Sequence, residues 1–138
     1  MRVSFTESIY LTEIYRLNET GQKRIIKTLS DKFKVRPATV ETILKRLIEK
    51  GMMLKLSRGR FHLTDKGLNE ASKLIAKHRI LECMLVNILG LPLEKACCEA
   101  SKIAYHLSTE TALKMHDFLG NPTKCPCGRR IPLEALEK

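Results

Sequence analysis

The sequence predicts a mainly α chain: a winged helix-turn-helix domain over residues 1–70, followed by an all-helical dimerisation domain over residues 71–138. Three observations lead there. Apolar residues recur at three- and four-residue steps through most of the chain, which is the period of amphipathic helices. One interval, "MMLKLSRGRFHLT", breaks that rhythm with two strand-like runs around a glycine turn. Positive charge is gathered in the front half: residues 1–67 carry 15 Lys/Arg against 7 Asp/Glu, whereas residues 68–138 carry 10 against 8.

Each element follows from local chemistry. "SFTE" is a capping-box signature in which the Ser4 hydroxyl and Glu7 carboxylate satisfy the first amide donors of a helix. Tyr10, Leu11, Ile14, Tyr15 and Leu17 give that helix an apolar face to about Asn18, and Gly21 stops it. A short second helix is expected over Lys27 to Lys34, presenting Leu29 and Phe33. After the turn "KVRP", Pro37 opens a third helix in which Val40, Ile43, Leu44, Leu47 and Ile48 form a full core-facing stripe. Gly51 ends it. Two helices around a tight turn, the second basic on its outer face, read as a helix-turn-helix. The strands Met53–Leu56 and Phe61–Leu63 flank "SRGR", placing Arg58 and Arg60 at the tip of a wing.

Thr64 caps a long helix expected to reach towards Leu89, with Leu68, Ala71, Ile75, His78, Leu81 and Leu85 along one side. "GLP" breaks the pattern. A helix from Leu93 to Leu107 follows, with the small residues Ala96, Cys97, Ala100 and Ala104 on one face. Ser108 caps a last helix carrying Ala112, Met115, Phe118 and Leu119, and "GNP" stops it. Apolar-striped helices of this kind pair across a two-fold axis, so a homodimer presenting two reading heads is expected.

Composition narrows the function classes. The formal net charge of +10, concentrated in the winged half, points to a polyanionic partner, double-stranded DNA. The longest apolar stretches are too short to cross a bilayer and the N-terminus lacks the features of a secretory signal, so no membrane partner and a cytoplasmic location are expected. Five cysteines, an odd number, argue for thiols or metal ligation over a disulfide framework. An enzyme is not expected: there is no H-E-x-x-H, P-loop or Gly-x-Ser-x-Gly pattern, and "CPCGRR" does not supply the zinc-deaminase motif.

A recognition helix enters the major groove by its N-terminal turns, which makes Arg36, Ala38, Thr39 and Thr42 the groove-facing residues. Arg36 can pair with guanine in two places, and threonine methyls can touch thymine methyls. Lys27, Lys45, Arg46, Arg58 and Arg60 are placed for phosphates, giving affinity and salt dependence more than sequence choice. Glu41 among them costs affinity unless it accepts from a cytosine amine or pairs with Lys45.

The segments "YLTEIYRL", "VRPATVETILKRLIEKGMM", "FHLTDKG", "KHRILECMLVNILGL", "HLS" and "FLGNPTKCPCGRRIP" run in order over essentially the whole chain. Together they resemble the iron- and manganese-dependent repressors of the diphtheria toxin repressor and manganese transport regulator family. The resemblance implies a dimer of winged helix-turn-helix domains and a divalent-metal effector. It places the family's principal regulatory metal between the first helix and a helix pair of the back half. At those positions this chain has Ile9 and Thr12, then Ser101, Ala104 and Tyr105; Ile9 and Ala104 offer no donor atom, Glu99 could shift into service, and His106 lies one place late on a different helical face. Loss of the usual primary site is therefore expected.

The family's second, ancillary site uses a His-x-x-x-Glu pair and one residue of the next helix. His78 and Glu82, four apart on one helix face, match the pair, and Cys97 takes the third position. Some relatives carry "CPHG" near the C-terminus where this chain has Cys125 and Cys127 in "CPCG". A tail folded back onto His78 and Cys97 would make a nitrogen–sulfur site for a divalent metal, zinc favoured over iron or manganese. Cys83 and Cys98 read as packing residues or bystanders, and Cys98 could take the place of Cys97 if the helix is rotated. Two alternatives stay open. One is a thiol-based redox regulator with Cys125 and Cys127 exposed and activated by Lys124, Arg129 and Arg130. The other is a winged-helix protein–protein adapter.

Overall fold

The computed structural model describes residues 2–137. The chain divides into two compact units, one running to Ala71 and one beginning at Ser72. The architecture is mainly helical, with one two-stranded sheet.

The first unit opens with α1 (Phe5–Glu19), and the capping box forms in full: Ser4 donates its amide to Glu7 Oε1 at 2.9 Å, and the Glu7 amide donates to Ser4 Oγ at 3.1 Å. Helix α2 covers Ile25–Phe33, two residues earlier than the expected start at Lys27, and Lys34 closes it in the left-handed region. No side chain caps its start at Arg24, so the signal that would mark the boundary is missing. Helix α3 (Pro37–Glu49) begins on its proline and buries Val40, Ile43, Leu44 and Leu47. With Leu11, Ile14 and Leu29 these side chains make the core of the unit. Each such leucine or isoleucine contributes about 2 kcal/mol of burial, which is what fixes α3 with its opposite face outward.

Strands β1 (Met53–Ser57) and β2 (Arg60–Leu63) pair antiparallel with Met53 opposite Leu63 and Lys55 opposite Phe61. The register shifts between Lys55 and Ser57, and Gly59 takes φ of 74° in the turn. Met52 and Met53 are buried at the base of the wing, whereas Leu54 and Leu56 are exposed. Helix α4 (Asp65–Cys83) starts in this unit, capped by the Thr64 hydroxyl, which accepts from the Gly67 amide at 3.0 Å.

In the second unit α4 leads into a π-helical turn over Met84–Ile88, so the expected continuation to Leu89 occurs with a wider winding. Helix α5 spans Leu93–Ile103 and then tightens into a 3-10 turn at Ala104–His106; the expected α-helix to Leu107 stops four residues short. Ala96, Ala100 and Ala104 are buried. Helix α6 (Thr109–Phe118) is capped by Ser108, whose side chain accepts from the Thr111 amide. Ala76, Ile80, Cys83, Ala112, Ile131 and Leu136 form one core cluster; Leu81, Ala100 and Ala104 form another. Phe118, grouped with the apolar side of α6 from sequence, is instead 71% exposed.

The "CPCG" tail is a tight hairpin. Lys124 and Arg130 pair antiparallel, the Cys125 amide donates to the Arg129 carbonyl, and the Gly128 amide donates to the Cys125 carbonyl, both at 2.8 Å. Gly128 supplies φ of 87°. Burial of Ile131, Ala135 and Leu136 holds the hairpin against the unit's core.

Candidate metal centre and nucleic-acid interface

Helix α4 presents His78 and Glu82 one turn apart, and packing buries both: His78 is 1% and Glu82 3% exposed. His78 Nε2 lies 3.1 Å from Glu82 Oε1. From α5, Cys97 brings its Sγ to 3.6 Å from the same Nε2. The tail hairpin brings Cys125, buried, and Cys127, exposed, with their sulfurs 2.7 Å apart. Two donor sets result, His78–Glu82–Cys97 and Glu82–Cys125–Cys127, and within each the ligand atoms lie within 4.8 Å of one another.

The geometry of the first set suits a tetrahedral ion. Bonds of about 2.0–2.3 Å put neighbouring ligand atoms about 3.3–3.8 Å apart, close to the His78–Cys97 and His78–Glu82 separations. The two tail thiols would have to part by about 1 Å to share an ion. The donor chemistry also fits: one imidazole, one carboxylate and three thiols are the ligand types that hold zinc. Cys83 sits in the core at 1% exposure and Cys98 is exposed, and neither belongs to a donor set among the described residues.

Electrostatics corrects one expectation. Cys125 is not exposed and activated: burial first, then the hydrogen bond with Cys127 and the Glu82 charge, push its thiol up to about 11, against a smaller opposing pull from backbone amides. Burial and the charge of Glu82 do the same to Cys83, also to about 11. A thiol so raised is a poor nucleophile at neutral pH, because the attacking species is the thiolate.

Two residues that hold the tail escaped the sequence reading. Arg79, buried at 2%, donates from Nη1 to the Arg130 carbonyl at 2.6 Å. His116, also buried, has its Nε2 2.7 Å from the Pro122 carbonyl. A signal for Arg79 was present: it stands between Ile75 and Cys83 at four-residue steps on a face that is otherwise core.

At the positions of the family's usual primary metal, Thr12 donates its hydroxyl to the Ser8 carbonyl at 2.7 Å and Ser101 donates to the Cys97 carbonyl at 2.9 Å. The Tyr105 ring packs edge-on against His106.

In the first unit, Arg36, Ala38, Thr39, Thr42, Lys45 and Arg46 are all exposed on or before α3, and Arg58 and Arg60 are exposed at the wing. Lys27 is exposed and paired with Asp31 at 3.3 Å. Thr42 donates its hydroxyl to the Ala38 carbonyl at 3.0 Å, which uses its one side-chain donor within the helix. A cavity of about 470 Å³ joins α3 to the wing, lined in part by Glu41, Lys45, Lys55 and Arg58, so the two basic elements share one surface.

Comparison with known proteins fits this two-part layout. Residues 64–133 match the family described as "Iron dependent repressor, metal binding and dimerisation domain", and residues 4–64 match the penicillinase repressor family. The chain belongs to the iron-dependent repressor family. It is 30% identical over 127 residues to the iron-dependent repressor IdeR of Mycobacterium leprae, covering 92% of this chain and 55% of that protein. The chain thus spans about half the length of the curated relatives it matches. Among solved structures, the manganese regulator SloR superposes with a TM-score of 0.82 at 31% identity, over 91% of this chain and 58% of that one. ScaR with bound zinc superposes at 0.76 and 30% identity, over 94% and 60%. This is a family of metal-dependent transcriptional repressors, not of enzymes, and its winged helix-turn-helix with a helical dimerisation domain is the architecture seen here. No described helix is long and apolar enough to cross a membrane.

Proposed function

We propose that this chain is a homodimeric DNA-binding regulator in which residues 1–70 read the duplex and residues 71–138 pair two copies, and that its metal is held away from the family's usual primary position. The ligands are His78, Glu82 and Cys97 with the tail thiols of Cys125 and Cys127, and zinc is favoured over iron or manganese. One observation carries the reading: a buried imidazole and a buried carboxylate on α4 stand beside thiols from both α5 and the tail hairpin. A carboxylate, an imidazole and thiols, whose ligand atoms within each donor set lie within 4.8 Å of one another, are donors that a divalent ion can take.

Support for zinc comes from the donor types, since thiolates and imidazole select it over the oxygen-preferring manganese. The residues at the usual primary positions supply only neutral hydroxyls at Thr12, Ser101 and Tyr105, weak ligands for a divalent ion, and, at Ile9 and Ala104, no donor at all. The tail is therefore tied to α4 and α5 as a structural element, and operator affinity is largely indifferent to manganese. DNA contact rests on the exposed basic surface shared by α3 and the wing.

Gel shifts with and without manganese, together with the zinc content of protein purified without added metal, test the proposal. Bound zinc that disappears on joint substitution of Cys125 and Cys127, and little manganese effect on DNA affinity, are expected. A large manganese-dependent gain in affinity would overturn the reading of the primary site. Failure of any duplex to bind with a steep salt dependence would favour a protein–protein adapter.

A further inference from the structure

We infer that Glu82 bridges two metal ions, so that the second unit carries a binuclear centre. This rests on the metal-holding reading above and goes beyond it in stoichiometry and in the role of one residue. Glu82 is the single member common to the two donor sets, His78–Glu82–Cys97 and Glu82–Cys125–Cys127. A carboxylate has two oxygens and can give one to each ion, whereas an imidazole nitrogen serves one. His78 is already beside the shared residue, 3.1 Å from its Oε1, and the Cys97 Sγ lies 3.6 Å from the same His78 nitrogen. The paired thiols belong to Glu82 from a different element, the tail hairpin.

Binding an ion displaces the thiol protons, so each thiolate arrives together with its own counter-charge. The ions would differ in environment: one with nitrogen, oxygen and a single sulfur, the other with oxygen and two sulfurs. The second is the softer site and takes zinc or another thiophilic divalent ion.

The test counts ions on the full chain. Protein loaded with zinc and dialysed against metal-free buffer is analysed by native mass spectrometry, and cobalt is titrated in parallel while the sulfur-to-cobalt absorption is followed. The wild-type chain should bind two ions. Joint Cys125→Ser and Cys127→Ser substitution should leave one ion with a single thiolate band, and joint His78→Ala and Cys97→Ser substitution should leave one ion with two thiolates. Glu82→Gln should lower both affinities together. A single ion per wild-type chain, lost on altering either pair, would overturn the bridge while leaving a one-ion site standing. Absence of any ion would remove both. Two ions whose affinities survive Glu82→Gln would overturn the bridging role. The wild-type count needs no variant to fold, so it decides the stoichiometry by itself.

Discussion

Arg79 Nη1 donates to the backbone carbonyl of Arg130 at 2.6 Å, a contact between residues 51 apart in sequence that fastens the tail hairpin to α4 one residue from His78. The guanidinium is buried, and through this bond it holds the segment that carries Cys125 and Cys127. Groups that support the ligands of a metal site typically contribute 10- to 100-fold to metal affinity. Arg79→Met, which keeps the stem and removes the donors, should weaken zinc binding by roughly that factor in a chelator competition. Arg79→Lys should recover part of the loss.

Gly67 faces the Met52 backbone so closely that an added Cβ would stand 1.9 Å from the carbonyl oxygen. Backbone on both sides leaves no flexible end to yield. Gly67→Ala should therefore destabilise the first unit by about 3 kcal/mol despite the better helix propensity of alanine. Denaturant unfolding measures it, and an unchanged midpoint would mean that α4 slides away from Met52 at little cost.

Burial pushes the Glu7 carboxyl up, but the Lys50 ammonium, the Ser4 amide and the Arg46 charge outweigh it and hold the group below its ordinary value of 4.5. A carboxyl lowered in the folded state contributes stability that is fully present above the unfolded value and is lost as pH falls through the folded one. Glu7→Gln should cost about 2 kcal/mol at neutral pH. The gap from wild type should stay constant down to about pH 5 and then close as the medium is acidified. Melting curves across that range check the sign.

Arg58 and Arg60 stand exposed at the wing, and Arg36 stands exposed before α3. Arg58→Ala or Arg60→Ala should weaken binding to all duplexes alike and flatten the slope of log affinity against log salt by about 1. Arg36→Ala should cost about 1–3 kcal/mol on the preferred operator and relax the choice of base at one position. A salt slope untouched by both wing substitutions would take the wing out of the interface.

The helices of the reading head were legible because their signals are local. Ser4 and Glu7 announce α1, Pro37 opens α3, and Val40, Ile43, Leu44 and Leu47 spell out its buried stripe. The early start of α2 was not legible, since Arg24 caps nothing. His78 and Glu82 could be paired from their spacing alone, because four residues is one helical turn. The place of Cys125 and Cys127 could not be read that way. It depends on Arg79, His116 and Ile131 drawing a distant segment inward, and contacts at such separation leave no periodic trace. The alternative with an exposed Cys125 differs from the structure for the same reason: the arginines beside it in sequence suggest exposure, while the fold of the hairpin turns its sulfur inward.

Between Met84 and Ile88 the amide of Leu89 reaches back five residues to the Met84 carbonyl, at 3.2 Å. A coil that takes in one surplus residue without breaking re-aims everything downstream by one angular step, about 100°. Leu85 keeps its place against Leu81 and Ala100, while Ile88 and Leu89 swing outward to 52% and 64% exposure. Excising a single amino acid such as Asn87 would rewind this stretch to the tighter pitch and rotate that greasy pair to another bearing. The outward orientation of the pair is thus governed by the count of residues in one loop of the spiral, more than by what those residues are.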